Sequence, residues 1–183
     1  MEPGILLRGT TIWFTGLPCS GKSTLARLTF EKLGGLGLPV EFLDGDDFRK
    51  HFSAGVGFSK EERSSHLRRV STLCRLLNKH GVIVVASFIS PYRENREYAR
   101  GLIGDRFVEV FTDSSVEVCM KRDVKGMYKK AMAGEIKQFT GVSDPYERPE
   151  HPELLLKTDL EAPEESLVKL MNLLRDRYGI PVP

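Results

Sequence analysis

The sequence predicts an α/β protein: a mainly parallel five-stranded sheet with helices on both of its faces. Short apolar runs rich in β-branched and aromatic residues alternate with longer segments of helical periodicity. The runs are apolar almost throughout, which is typical of strands buried on both faces. The composition agrees, because 40% hydrophobic and 28% charged residues are ordinary for a globular protein, and 183 residues are enough for one core. We therefore expect a single domain over residues 1–183.

Each predicted element has its own signal. The predicted strands are Thr11–Thr15, Val40–Leu43, Val82–Ala86, Phe107–Phe111 and, more weakly, Leu154–Lys157. The predicted helices lie at about Lys22–Leu33, Lys60–His80, Tyr92–Ile103, Ser115–Arg122 and Pro163–Tyr178. The last helix opens on a proline, which has no N–H to satisfy, followed by two glutamates that favour the positive end of the helix dipole. Alternation of this kind predicts a parallel sheet wrapped by helices.

One segment interrupts the alternation, from Asp123 to Pro152. It is polar, is punctuated by glycine and proline, and contains Lys125, Lys129, Lys130 and Lys137. A long excursion of this kind inside an α/β domain is more often functional than a mere connection. We therefore predict a lid over about residues 123–152.

Charge, hydropathy and cysteine content exclude several classes of protein. A net charge of +2, from 27 Lys+Arg and 25 Asp+Glu, lacks the basic excess of a nucleic-acid-binding protein. The longest apolar stretches are far too short to cross a bilayer, and the first residues show no signal-peptide pattern. Three scattered cysteines, Cys19, Cys74 and Cys119, indicate reduced thiols rather than a disulfide framework or a metal cluster. We predict a cytoplasmic protein without a nucleic-acid or membrane partner.

The most specific motif is Gly-Leu-Pro-Cys-Ser-Gly-Lys-Ser at residues 16–23, which fits the phosphate-loop pattern between the first strand and the first helix. Backbone N–H groups at a helix N-terminus form a concave donor surface for phosphate oxygens. Lys22 reaches the β- and γ-phosphates, and the Ser23 hydroxyl ligates Mg²⁺. The motif predicts a P-loop NTPase fold with ATP and Mg²⁺ as its cofactors. The predicted nucleotide contacts are Gly16, Leu17, Pro18, Cys19, Ser20, Gly21, Lys22, Ser23 and Thr24.

Acidic residues follow the second predicted strand at Asp44, Asp46 and Asp47. Carboxylates at this edge of a parallel sheet point into the crevice where α/β proteins bind ligands. The third strand ends without a carboxylate, so we predict Asp46 as the metal-site partner of Ser23, and favour Asp44 less. The alternative is that Asp46 or Asp47 caps a helix. Arg49, one turn further, either approaches an anionic acceptor or is solvated.

Several further motifs resemble the adenylylsulfate kinase family, over about residues 9–178. They are Asp-Gly-Asp at 44–46, Gly-Phe-Ser at 57–59 with Arg63, Ser-Phe-Ile-Ser-Pro-Tyr-Arg at 87–93, and the lid runs at 125–131 and 139–147. The resemblance implies transfer of the γ-phosphate of ATP to the 3′-hydroxyl of adenosine 5′-phosphosulfate (APS). The products are then 3′-phosphoadenosine 5′-phosphosulfate and ADP. A homodimer is common among such relatives.

The resemblance also implies roles for single residues. Asp46 accepts the acceptor proton, and Ser90 matches a serine described in the family as a phosphoserine intermediate. Direct in-line transfer needs only positioning and charge stabilisation, so we expect Ser90 to act through hydrogen bonds. Lys125 and Lys137 neutralise developing charge, and Arg122 lies beside the ATP adenine. The implied acceptor contacts are Asp44, Arg49, Phe58, Arg63, His66, Ile89, Ser90, Lys137 and Phe139, with Phe58 and Phe139 stacking on both faces of the adenine.

Three positions depart from the family pattern: Asp47 and His66 replace asparagines, and Val124 replaces a proline. His66 either replaces an amide contact to the acceptor or faces the helix surface.

Two other functions stay open at this level, a P-loop kinase for another nucleotide-linked or sugar acceptor and a nucleotide-binding domain without turnover. The aromatic pair favours a base-containing acceptor, and Lys22, Ser23 and Asp46 favour turnover. The length leaves room for the kinase alone, without a fused sulfurylase.

Overall fold

The computed structural model describes residues 8–52, 55 and 57–182. Its strands are β1 (Thr11–Thr15), β2 (Val40–Asp44), β3 (Ile83–Ser87), β4 (Phe107–Asp113) and β5 (Leu154–Lys157). They form one sheet in the order β2-β3-β1-β4-β5, and every neighbouring pair is parallel. The predicted α/β fold with a five-stranded parallel sheet is confirmed.

The helices in the described residues are α1 (Lys22–Gly35), α2 (Gly45–Phe52), α3 (Lys60–Lys79), α4 (Arg93–Ile103), α5 (Val116–Arg122), α6 (Met127–Met132) and α7 (Pro163–Tyr178). Five of them agree with the predicted helices to within about two residues at each end, whereas α2 and α6 were not predicted. In this described part of the chain, none has an apolar stretch long enough to span a bilayer.

Side-chain alternation along the strands divides the core into two layers. In β1, Ile12 and Phe14 face one side of the sheet, where they join buried residues of α1 and α7. Trp13 faces the other side, where it joins buried residues of α3 and α4. Because both faces are covered, the ligand-binding edge is left at the carboxyl ends of the strands.

The two helices that were not predicted are short. The helix α2 begins directly after β2, and its first turn contains Asp46 and Asp47, which are favourable near the positive end of a helix dipole. The helix α6 has only six residues, too few for a periodic pattern to be visible. It begins after Gly126, which adopts a positive φ of 65°, and buries Tyr128 and Ala131.

The predicted lid segment, residues 123–152, packs directly on the phosphate loop. It contains α6 and a single β-bridge between Thr140 and Asp144. The Tyr128 hydroxyl donates to the backbone carbonyl of Pro18 at 3.1 Å. Gly141 has a φ of 90°, and a Cβ there would lie 2.8 Å from a methyl group of Leu17. The segment is therefore in direct contact with the phosphate loop.

Candidate active site

The phosphate loop connects β1 to α1, and two threonines hold it through hydrogen bonds to Ser20. Ser20 Oγ lies 2.7 Å from the hydroxyl of Thr112 in β4, and the Ser20 carbonyl accepts from the hydroxyl of Thr158 at 2.7 Å. At Gly16 a Cβ would lie only 2.3 Å from the Thr112 hydroxyl, so this position requires glycine. Thr112 and Thr158 were missed at the sequence level, since neither lies in a recognisable motif.

The Lys22 side chain is buried within the phosphate loop. The residue is 7% exposed, and its Nζ donates to the Leu17 carbonyl at 2.6 Å and to Ser20 Oγ at 3.4 Å. Burial lowers the pKa of the Lys22 ammonium to about 8. The charge is thus poorly solvated, which strengthens its attraction for phosphate oxygens.

A cluster of oxygen atoms lies at the start of α1. Ser23 Oγ donates to Asp44 Oδ2 at 3.2 Å and lies 3.3 Å from Ser87 Oγ. Asp44, rather than Asp46, therefore contacts Ser23 in the structure, and the role of Asp46 at the metal site stays a prediction. The reason is that β2 continues to Asp44, which pairs in register with Ser87, whereas Asp46 already belongs to α2.

Asp46 forms an ion pair with Lys125 instead, which connects α2 to the predicted lid segment. Both side chains are largely exposed. A hydrogen bond and the nearby charge of Asp46 raise the pKa of Lys125. The second predicted lid lysine, Lys137, is exposed on the same segment, next to Gln138.

The oxygen donors fit a magnesium ion. In the described part of the chain, no three His, Cys, Asp or Glu side chains form a metal cage. Magnesium does not need one, since it is usually bound by one or two carboxylates together with substrate phosphates and water. Asp44 and Ser23 supply hard oxygen ligands beside the loop in which the phosphates bind.

Two arginines, Arg49 and Arg63, lie beside Phe58. Phe58 is 55% exposed, and the Arg49 guanidinium lies 4.4 Å from the centre of its ring. Arg63 is 7% exposed and donates to Phe58 O at 2.7 Å, Thr140 Oγ1 at 3.1 Å and Gln138 O at 2.5 Å. Arg63 thus fastens the Phe58 segment to the lid segment, a contact that the sequence did not predict.

Phe139, the other predicted stacking residue, lies on the lid segment that Arg63 holds. It is 8% exposed, and the Tyr128 ring meets it edge-on with the centroids 4.9 Å apart. Leu17 and Cys19 of the phosphate loop pack against the same cluster. Phe139 is therefore packed against the phosphate loop, and Phe58 lies just before the start of α3.

His66 is buried, contrary to the alternative that it faces the helix surface. Its ring lies 5.6 Å from the Phe48 ring and 5.7 Å from the Phe88 ring. Burial, with the charges of Arg49 and Arg69 as smaller causes, lowers the pKa of His66 to about 4. The imidazole is therefore neutral at pH 7.

We predict that His66 makes the fold sensitive to acid. Its folded pKa lies below the unfolded value of 6.5, so the unfolded state binds the proton more tightly. The stabilisation is complete above pH 6.5 and is lost as the pH falls towards 4, by an amount of the order of 2 kcal/mol. Denaturant unfolding of the wild type and His66→Gln between pH 4 and 7 measures it, with the exposed-site variant His151→Gln as the control. Parallel pH profiles for all three proteins would contradict it.

Ile89 and Ser90 follow β3 in a tightly bonded loop. The Ser90 hydroxyl donates to Thr15 Oγ1 at 2.9 Å and accepts from the Trp13 indole at 3.1 Å. Ser90 is 2% exposed, and no base is among these partners. The Ile89 carbonyl accepts from Thr15 Oγ1 at 2.9 Å. This enclosure favours a hydrogen-bonding role for Ser90 over a phosphoserine intermediate.

The remaining predicted nucleotide contacts lie on the β5 side of the loop. Arg122, at the end of α5, donates to the Thr158 carbonyl at 2.6 Å. Thr158 in turn bonds to the phosphate loop, so Arg122 is connected to the loop through one residue. Thr24 is exposed in the first turn of α1.

These features define a class of protein. A phosphate loop between a central parallel strand and a helix contains a buried lysine, beside a serine–aspartate oxygen cluster. The lysine-containing segment that is predicted to be a lid packs on that loop. Together they define a P-loop kinase.

Comparison with known proteins gives the family. The sequence model of the adenylylsulphate kinase family matches residues 8–157. The adenylyl-sulfate kinase of Gloeothece citriformis is 53% identical over 172 residues, which cover 94% of this chain and 97% of that protein. The APS kinase CysC of Mycobacterium tuberculosis, solved in complex with AMPPNP and APS, is 43% identical with a TM-score of 0.88, covering 92% of this chain and 99% of that one. The chain belongs to the adenylylsulphate kinase family, and its activity is that of an adenylyl-sulfate kinase that uses ATP.

Proposed function

We propose that the protein transfers the γ-phosphate of ATP to the 3′-hydroxyl of APS in a Mg²⁺-dependent reaction, within one domain over residues 1–183 and a lid over about 123–152. The observation that carries this proposal is the Asp46–Lys125 ion pair, which joins the lid segment to the first turn of α2. The M. tuberculosis relative, solved with both AMPPNP and APS, supports the choice of substrates.

On the ATP side, Lys22 and the backbone N–H groups of the phosphate loop bind the β- and γ-phosphates. Asp44 and Ser23 would hold Mg²⁺, which neutralises charge on these phosphates when it is bound. Arg122, which bonds to the Thr158 carbonyl, would lie beside the ATP adenine. These groups orient the γ-phosphate towards the crevice.

On the acceptor side, Phe58 and Phe139 stack on the two faces of the APS adenine. Arg49 is directed at the phosphosulfate group from its position over the Phe58 ring. Arg63 keeps the Phe58 segment and the lid together through its three bonds. His66, which packs against Phe48, and the backbone of Ile89 would also frame the acceptor.

The transfer itself needs a proton acceptor and charge stabilisation. Asp46 accepts the proton of the 3′-hydroxyl as the γ-phosphate is transferred in line. Lys125, released from Asp46 when the substrates bind, neutralises charge on the transferring group together with Lys137. Ser90 keeps its hydrogen bonds and is not phosphorylated. Closure of the lid excludes water and so limits hydrolysis of ATP.

ADP formation by the purified protein tests the reaction. ATP and Mg²⁺ are supplied with and without APS, and the product is identified by mass and by the position of its new phosphate. We expect ADP formation that requires APS and a product phosphorylated at the 3′-position. ADP formation without dependence on APS, or phosphorylation only of other nucleotide-linked acceptors, would contradict the proposal.

Phe139 offers a test of the stacking interaction. We predict that Phe139→Leu raises the KM for APS about tenfold, because a stacked aromatic ring contributes about 1–3 kcal/mol per base. Leucine retains the packing against Tyr128 and Leu17, so the KM for ATP stays close to that of the wild type. Steady-state kinetics with each substrate varied in turn measure both constants. An equal rise in the two KM values would remove Phe139 from the acceptor site.

We further propose that the protein is a cytoplasmic homodimer. All three cysteines are free thiols, which suits a reducing compartment.

The APS kinase of Thiobacillus denitrificans is hexameric; it is 30% identical with a TM-score of 0.72, and the match covers 100% of this chain and 31% of that one. Analytical ultracentrifugation measures the assembly, and a monomer at micromolar concentration would contradict the dimer.

A further inference from the structure

Two carbonyl groups from distant parts of the chain share one buried guanidinium. Arg96 of α4 has a side chain that is 2% exposed. Its Nη1 donates to the carbonyl of Ser90 and its Nη2 to the carbonyl of Glu147, each at 2.6 Å. The first carbonyl belongs to the loop after β3, and the second to the segment through which the lid returns to β5. One side chain therefore fixes the backbone of both segments.

A carboxylate from the centre of the sheet compensates for the burial of Arg96. The Nε atom of Arg96 lies 2.8 Å from Glu109 Oε1 in β4, and the Glu109 side chain is itself buried. The other oxygen of Glu109 accepts from Arg100 at 3.1 Å, and the Glu109 N–H donates to Glu153 at 2.7 Å. Removing one charged side chain of such a pair leaves the other charge buried and unpaired. The network therefore gives Arg96 a fixed position and direction.

The backbone at Ser90 depends on this support. Ser90 has a φ of 41°, in the left-handed region that residues with a Cβ rarely adopt. Such a conformation persists only where its surroundings determine it. Arg96 holds the Ser90 carbonyl, and Thr15 holds both the Ser90 hydroxyl and the Ile89 carbonyl.

The return segment of the lid is tied to the same residues. The Tyr146 hydroxyl lies 2.8 Å from Thr15 Oγ1, and the Arg96 guanidinium lies 5.7 Å from the centre of the Tyr146 ring. The Glu147 N–H donates to the Pro91 carbonyl at 2.8 Å. The loop after β3 and the lid's return segment are therefore bonded to each other as well as to Arg96.

We propose that Arg96 is a positioning residue for the phosphate acceptor. It holds the Ile89–Ser90 backbone and the return segment of the lid in the arrangement in which the acceptor pocket is complete, without touching the acceptor. The inference rests on the proposed function for the identity of that acceptor. The ATP half of the site is held by other contacts, such as those of Lys22 and Ser23. Loss of Arg96 therefore acts selectively on the acceptor.

Arg96→Lys is the variant that tests this role. Lysine retains the charge beside Glu109 but lacks the planar fork that reaches two carbonyls at once. Arg100→Lys is the matched control, because Arg100 contacts the same Glu109 but otherwise bonds to the side chain of Glu153. We expect Arg96→Lys to raise the KM for APS at least about tenfold while the KM for ATP changes less than about twofold. Arg100→Lys should leave both constants within about twofold of the wild type.

Equal rises in both KM values, or unchanged constants in a folded Arg96→Lys protein, would overturn the inference. If Arg96→Lys does not fold, Tyr146→Phe replaces it, since this variant keeps the ring beneath the guanidinium and removes only the hydroxyl from Thr15. It is expected to raise the KM for APS alone, and unchanged constants would again overturn the inference. A wild-type protein that does not phosphorylate APS would instead overturn the proposed function and, with it, this role.

Discussion

We expect Lys22→Met to remove nearly all phosphoryl transfer and at the same time to stabilise the nucleotide-free protein. The loss of activity follows because the lysine is the cation within the phosphate loop, and removing one such charge-stabilising group costs about a hundredfold to a thousandfold in turnover. The gain in stability follows from burial. Lys22 is 7% exposed, and its pKa is lowered to about 8, so the folded protein holds a charge at a cost that methionine does not incur.

The pH dependence of this stability has a definite sign. The unfolded lysine binds its proton up to about pH 10.5, whereas the folded one releases it near pH 8. The full cost is present below pH 8, and stability rises as the pH increases from 8 to 10.5. We expect Lys22→Met to raise the unfolding free energy at pH 7 by about 1–3 kcal/mol and to abolish that rise.

Turnover assays and denaturant unfolding at pH 7 to 10.5 measure both parts of the Lys22 prediction. Lys130→Met is the control, because Lys130 is exposed on α6 and its loss should alter neither quantity strongly. A Lys22→Met protein that is both inactive and less stable than the wild type would show that the lysine is a structural contact of the loop. That outcome would contradict the functional assignment of its buried charge.

The sheet and the phosphate loop could be predicted because their signals are local. An apolar run and a loop of eight residues each contain most of the information that determines their conformation. The carboxylate that contacts Ser23 was not predictable in the same way. Choosing Asp44 over Asp46 depends on where β2 ends and α2 begins, a difference of two residues that turns one side chain to Ser23 and the other to Lys125.

Contacts between segments that are distant in the sequence could not be predicted either. Thr112 and Thr158 support the phosphate loop from β4 and from the residue after β5. Arg63 bonds to the lid, and His66 lies between two phenylalanines, although a residue on a helix gives no sign of which neighbours it will meet. Such roles follow from the order of the strands and from the path of the lid, which are tertiary properties. The sequence therefore did not predict which neighbours these residues contact.

Asp46→Asn tests the proton acceptor, and we expect turnover to fall about a hundredfold or more while the KM for ATP stays close to that of the wild type. The amide keeps the shape of the side chain but does not accept the proton of the 3′-hydroxyl, and general-base catalysis contributes about 10²–10⁴-fold. ATP binding is preserved because Ser23 contacts Asp44 rather than Asp46. Acceptor-dependent ADP formation and calorimetric titration of ATP measure the two effects.

Asp47→Asn is the matched control for Asp46→Asn. It lies in the same turn of α2, is exposed to a similar degree, and pairs with Lys50 rather than with the lid. A general effect of removing a negative charge from this turn would lower turnover in both variants, whereas proton transfer by Asp46 predicts a large loss in one alone. Lys125→Met tests the remaining alternative, in which Asp46 acts only through its ion pair with the lid and does not accept a proton. If Lys125→Met lost as much activity as Asp46→Asn, and the double variant lost no more than either, the ion pair would be the functional unit and the base would have to be sought elsewhere.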